Sequence, residues 1–145
     1  MNANIILYVQ KDVNAVLIPQ IDEKDYFHLK NPHSSRTQLF DFAIALGSSA
    51  PTPLANKADH TRGNYVQSSE FMYRSLLFHD SGESKLNEEP AVCNIAEQYA
   101  NTGFGVLKEY MGKYEQDQLL KKLLVEMDKD RIFAEALLEK ASKMK

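Results

Sequence analysis

Four histidines, His28, His33, His60 and His79, carry the side chains best suited to a transition-metal site at neutral pH. A helical metal site needs imidazoles four residues apart, or carboxylates interleaved in ligand order, so that the donors share one face. None of the four is so placed. His79-Asp80 is similar to the HD dipeptide of metal-dependent phosphohydrolases, with His60 as an upstream ligand. Such a set would make a small metal-dependent phosphodiesterase, but the further ligands it needs on other helices have no counterpart. The plainer reading of His79 is an imidazole at a helix C-terminus, where a cation suits the negative end of the dipole. Neither a metal nor a cofactor is expected.

Nucleophiles give no more. Ser81-Gly82-Glu83-Ser84 lacks the G-x-S-x-G elbow that exposes a catalytic serine. Cys93 stands near the start of a helix, where the dipole could favour its thiolate, yet beside Val92 and Ala96 it reads as a small core residue. Gly103-x-Gly105 has neither the third glycine nor the preceding strand of a phosphate loop. The residues give no catalytic assignment, and a non-catalytic protein is expected.

Arg36, Arg62 and Arg74 are the remaining candidates. Their forked donors suit a phosphate or carboxylate, and Arg62-Gly63 lies in a long polar stretch between the other two. A nucleic-acid contact is the sharper reading. Ordinary pairing with Asp41, Asp59 or Glu70 is the plainer one. Charge argues for the plainer, because 17 Lys and Arg stand against 20 Asp and Glu, a net −3, with no basic block anywhere. A protein that binds duplex DNA unaided clusters its cations, since counterion release supplies most of the affinity. A stand-alone DNA-binding regulator is therefore disfavoured, and any DNA contact would be indirect. One cysteine permits neither an intrachain disulfide nor a closed thiolate zinc site. The opening MNANIILYVQKDVNAV has no basic region, and its apolar run is too short for a signal peptide or a span. A cytoplasmic protein without membrane association is the expectation.

The elements that position these residues are mostly helical. Residues 4–10 and 13–18 are two short apolar runs that read as a strand pair or as one interrupted helix. Over 36–46, Ser35 and Gln38 make a capping-box pattern, Leu39, Phe42, Ala43 and Leu46 form one stripe, and Gly47 sits at the left-handed C′ position. Residues 48–66 read as a long loop. A helix over 68–79 is capped by Ser68 or Ser69 and turns Phe71, Met72, Ser75, Leu76 and Phe78 inward. A turn over 80–87 leads to a third helix opening at Glu88-Glu89-Pro90, acidic and prolyl residues that suit a first turn. Its apolar phase runs unbroken from Val92 to Met111, which favours a continuous helix with Gly103 and Gly105 where another backbone crosses. A break at 101–103 is the alternative. In the C-terminal amphipathic segment, 113–145, Leu119, Leu120, Leu123, Leu124 and Met127 make one apolar face. Ile132, Phe133, Ala136, Leu137 and Ala141 make another.

Two segments resemble a known family. Arg36-Thr-Gln-Leu-Phe-Asp-Phe-Ala-Ile-Ala-Leu-Gly47 is followed about 50 residues later by Ile95-Ala-Glu-Gln-Tyr-Ala-Asn-Thr-Gly-Phe-Gly-Val-Leu107. They are similar to the small proteins encoded beside bacterial DNA-phosphorothioation (Dnd-type) defence genes, which carry an aromatic–x–Phe–Ala–x–x–Leu–Gly helix and then a Glu–Tyr–Ala–Asn–Gly–Gly–Leu helix. This chain departs at Gln98 and Thr102. The resemblance covers about half of it and implies an accessory component of an anti-phage system. The matched residues are of the types that build helix packing and caps.

Together these readings give a compact, mainly α single domain over residues 1–145, of four to five helices with a short N-terminal β-hairpin if the first runs are strands. The expected role is a non-catalytic accessory subunit that docks on a larger nuclease or ATPase subunit, or self-associates as a homo-oligomer. The docking face would be Leu119, Leu120, Leu123, Leu124, Met127, Phe133 and Leu137.

Overall fold

A computed structural model describes residues 5–24, 32–47, 50–62, 69–115, 118–119 and 121–125, without the side chains of Lys24, 32–35 and Arg62. Strand β1 (Ile6–Gln10) leads into a π-helical turn (Val13–Leu17), which runs on as α1 (Ile18–Lys24). Then come α2 (Pro32–Leu46), β2 (Lys57–Arg62), α3 (Glu70–Ser81), a 3-10 turn (Glu83–Lys85) and α4 (Glu89–Lys113). The fold is mainly α with, among the described residues, one short antiparallel strand pair, as the sequence suggests.

The second strand is not where the apolar runs place it. Residues 13–18 are helical, started by the Asp12 carboxylate on the Val13 N–H (3.0 Å). The partner of β1 is β2, from inside the stretch expected to be a loop, with Ile6 opposite Arg62 and Gln10 opposite Lys57. The register slips between Leu7 and Tyr8, where His60 is the extra residue. A strand is read from alternating apolar residues. Here the side chains turned into the protein are those of His60 and Thr61, and the buried Thr61 hydroxyl hydrogen-bonds that of Thr37 on α2 (3.2 Å).

Helix α2 starts at Pro32, three residues before the expected cap, so Ser35 lies inside it. Leu39, Phe40, Ala43, Ile44 and Leu46 are buried, with Phe42 packed against them. Gly47 closes the helix through its N–H to Ala43 and Ile44 (3.0 and 3.1 Å), but without the expected left-handed backbone. Its reason for being glycine is different: an added Cβ would strike Tyr99 O and Gly103 N of α4.

Helix α3 presents a different face from the one expected. Tyr73 and Leu77 are fully inward, with Met72 and Leu76 beside them, whereas Phe71 is 83% exposed, Phe78 56% exposed, and Ser75 lies outside. Apolar residues occur all round this helix, so spacing alone allows two inward faces. Asp41 of α2 decides between them: its carboxylate accepts from Ser69 Oγ (2.5 Å) and Tyr73 OH (2.6 Å), which fixes the helix rotation. Helix α4 is continuous for 25 residues, with Pro90 in its first turn. Val92, Ile95, Ala96, Tyr99, Ala100, Phe104 and Leu107 form the inner wall of the core.

Candidate functional site

Helices α2 and α4 cross through small residues. At Gly103 an added Cβ would coincide with the Ala43 carbonyl, and at Gly47 it would strike the α4 backbone. Nothing lies near Gly105, which is exposed. One of the two mid-helix glycines is therefore required by the crossing and the other is not. The next residues of α4 hold the segment before β2. Thr52 N–H donates to Gln98 O (3.0 Å), and Thr102 Oγ1 donates to Ala50 O (2.7 Å) and meets the Thr52 hydroxyl (2.6 Å). Asn101 Nδ2 donates to the carbonyls of Thr52 and Pro53 (3.2 and 3.3 Å). The residues that carry the family resemblance thus form one crossing and one clasp. They do structural work here.

The candidate catalytic groups are dispersed. His60 is wedged between Phe40 and Phe104, with ring centroids 5.7 and 6.1 Å away, and its Nε2–H donates to Arg36 O (2.7 Å). Burial pushes its imidazole down to about 4, against the opposing pull of that hydrogen bond, so it is neutral at pH 7. His79 and Asp80 are exposed on the last turn of α3. Among the described residues no group of three or more His, Cys, Asp or Glu side chains could hold a metal ion. His28 lies outside those residues, as does the side chain of His33. Cys93 is buried, and desolvation followed by the nearby Glu97 and Glu89 pushes its thiol up to about 11, far from a reactive thiolate.

Two of the three arginines are engaged within the chain. Arg36 pairs with Asp22 (2.9 Å) rather than with the expected Asp41 or Asp59. Asp41 is already committed to Ser69 and Tyr73. Arg74 pairs with Glu70 one turn earlier (3.0 Å), as the plainer reading has it, and its other nitrogen donates to Leu86 O. The Arg36 and Arg74 guanidiniums thus tie α2 to α1 and α3 to the turn after it. Arg62 ends β2, and its side chain lies outside the description.

One buried acid was not singled out from the sequence. Glu97 is 3% exposed; its Oε2 accepts from Tyr8 N–H (2.9 Å) and its Oε1 faces Lys57 Nζ at 3.6 Å. Burial raises its pKa, while the Tyr8 N–H and the Lys57 ammonium work against that rise. The signal lay in its position, four residues after Cys93 and within the apolar stripe of α4.

The C-terminal leucines divide. Leu119 and Leu123, two members of the expected docking face, are 1% and 0% exposed and belong to the protein's own core. Leu124 and Val125 are 52% and 59% exposed. Leu120, Met127, Phe133 and Leu137 lie outside the described residues. Leucines four apart, as at 119 and 123, share one side of a helix, and Leu124 falls a hundred degrees away. Among the described residues no helix is long and apolar enough to cross a membrane. No protein-family model, curated protein or solved structure matches the chain.

Proposed function

We propose that this protein is a non-catalytic accessory subunit that docks on a larger nuclease or ATPase subunit of a bacterial anti-phage defence complex. The observation that carries the docking reading is the outer face of α3. Phe71 and Phe78, seven residues and two turns apart, stand on one side of the helix in solvent. Large exposed aromatics aligned on one face are the residues that anchor protein interfaces. Of the side chains that could do chemistry, His60, Cys93, Asp41 and Glu97 are packed or bonded internally, while His79 and Asp80 lie exposed at the end of α3. The defence assignment rests on the two resembling helices.

Co-expression with the large subunit encoded beside it tests the reading. Phe71→Asp with Phe78→Asp should abolish co-purification while leaving the unfolding temperature unchanged, since both side chains lie outside the core. Co-purification retained by the double variant would reject α3 as the anchor. A stable dimer of the isolated chain, lost in that variant, would make the face a self-association surface instead.

A further inference from the structure

Helix α3 carries two apolar faces. One holds Met72, Tyr73, Leu76 and Leu77 and is turned inward; the other holds Phe71, Met72, Leu76 and Phe78. Met72 and Leu76 belong to both, and lie half-buried at the edge of the core. A roll of roughly 100°, the angular step of one residue, would keep that pair against the core and exchange Tyr73 and Leu77 for the two phenylalanines. Ser75 sits in the middle of the second face, but its Oγ already donates to Phe71 O within the helix (2.8 Å), so enclosing it strands no hydroxyl. His79 closes that face at its C-terminal end. Two phenylalanines offer at least as much apolar area as a tyrosine and a leucine, so burial alone does not select the observed rotation. Polar latches select it. Asp41 accepts from Ser69 Oγ and Tyr73 OH, and Arg74 donates to Leu86 O. Arg74 is partly exposed, so water can replace its bond, whereas Tyr73 and Ser69 are buried and depend on Asp41.

We propose that α3 is a two-position helix. Latched by Asp41 it presents Phe71 and Phe78 to solvent; unlatched it rolls to enclose them and turns Tyr73 and Leu77 outward. A packed element with two discrete seats lets a change at one bond alter a whole surface. A partner that grips the two phenylalanines binds only the latched position and holds it there. The roll stands on α3 and Asp41 alone. Its consequence, a docking face that can be withdrawn, rests on the accessory-subunit reading.

Hydroxyl-radical footprinting of the full chain reads side-chain exposure residue by residue. In the unmodified protein Phe71 and Phe78 should react roughly fivefold faster than Tyr73 and Leu77, each scaled to its own residue type. Asp41→Ala removes the acceptor of both hydroxyls and should reverse that order, with helix content by circular dichroism unchanged. If all four residues react fast, α3 has melted; if the order is unchanged, packing alone sets the rotation. Either result overturns the proposal. Asp41→Ala combined with Phe71→Gln and Phe78→Gln makes the second face polar, and should protect Tyr73 and Leu77 again although no latch is returned. Continued exposure of Tyr73 and Leu77 in that triple variant would equally overturn the roll. Co-purification with the large subunit that survives a reversed order in Asp41→Ala would reject α3 as the anchor and leave the roll standing.

Discussion

Helix α4 meets its neighbours in two opposite ways. Towards α2 the two backbones approach through Ala43, Gly47 and Gly103 with no side chain between them. Towards β1 the Glu97 carboxylate reaches across to the Tyr8 N–H, and an open cleft lies beside it. The first contact leaves no tolerance for an added atom. The second includes a hydrogen-bonded carboxylate with open space beside it, and therefore has room to spare. A motif that looks functional because its residues are small and polar belongs to the first kind, and the open cleft belongs to the second.

Substitutions can break this contrast, beginning with the largest effect. Gly103→Ala places a methyl group on the Ala43 carbonyl and should cost roughly 3 kcal/mol, the upper part of the range for overpacking, by chemical denaturation. A loss below about 1 kcal/mol would mean that the helices separate readily. On the cleft side, Glu97→Ala leaves the Tyr8 N–H without its acceptor and should cost about 2 kcal/mol. Glu97→Gln keeps an acceptor oxygen and should cost less than half of that. Equal losses in the two variants would show that charge, rather than the bond to the strand edge, matters there.

Titration of His60 gives a smaller effect. Its imidazole sits at about 4 in the folded chain against an ordinary 6.5, so the unfolded chain takes up a proton first as pH falls. Stability should be complete above pH 6.5, decline between pH 6.5 and 4, and level off below. The loss is on the order of 1–2 kcal/mol by pH 5, with part of the ring still accessible to solvent. His60→Phe should flatten that part of the curve; an unchanged slope would assign it to other groups. The smallest change should be a gain. Gly105→Ala, with open space around it on α4, should add about 0.5–1 kcal/mol of stability, opposite in sign to the same change two residues earlier.

Sequence reading reached the α4 side of this contrast better than the β2 side. The unbroken phase from Val92 onwards and the position of Gly103 are local properties of one long helix, and they are realised as a continuous helix with a backbone crossing. The rotation of α3 was not legible, because it depends on Asp41, 28 residues before Ser69 in the chain, accepting two hydroxyls. Nor was β2, whose inward positions hold an imidazole and a hydroxyl in place of apolar groups. The candidate site shows the same division. Arg74 with Glu70 is a helix-spaced pair visible from the residues. Arg36 with Asp22 and Glu97 with Tyr8 each join distant segments.

The clasp on Thr52 fastens the segment before β2 to α4 through Thr102 and Asn101, and the Thr61–Thr37 bond fastens the end of the strand to α2. A strand so poor in apolar groups cannot choose its own place. Its place depends on hydrogen bonds to α2 and α4, so the sheet can form only where the packing of those two helices leaves room for it.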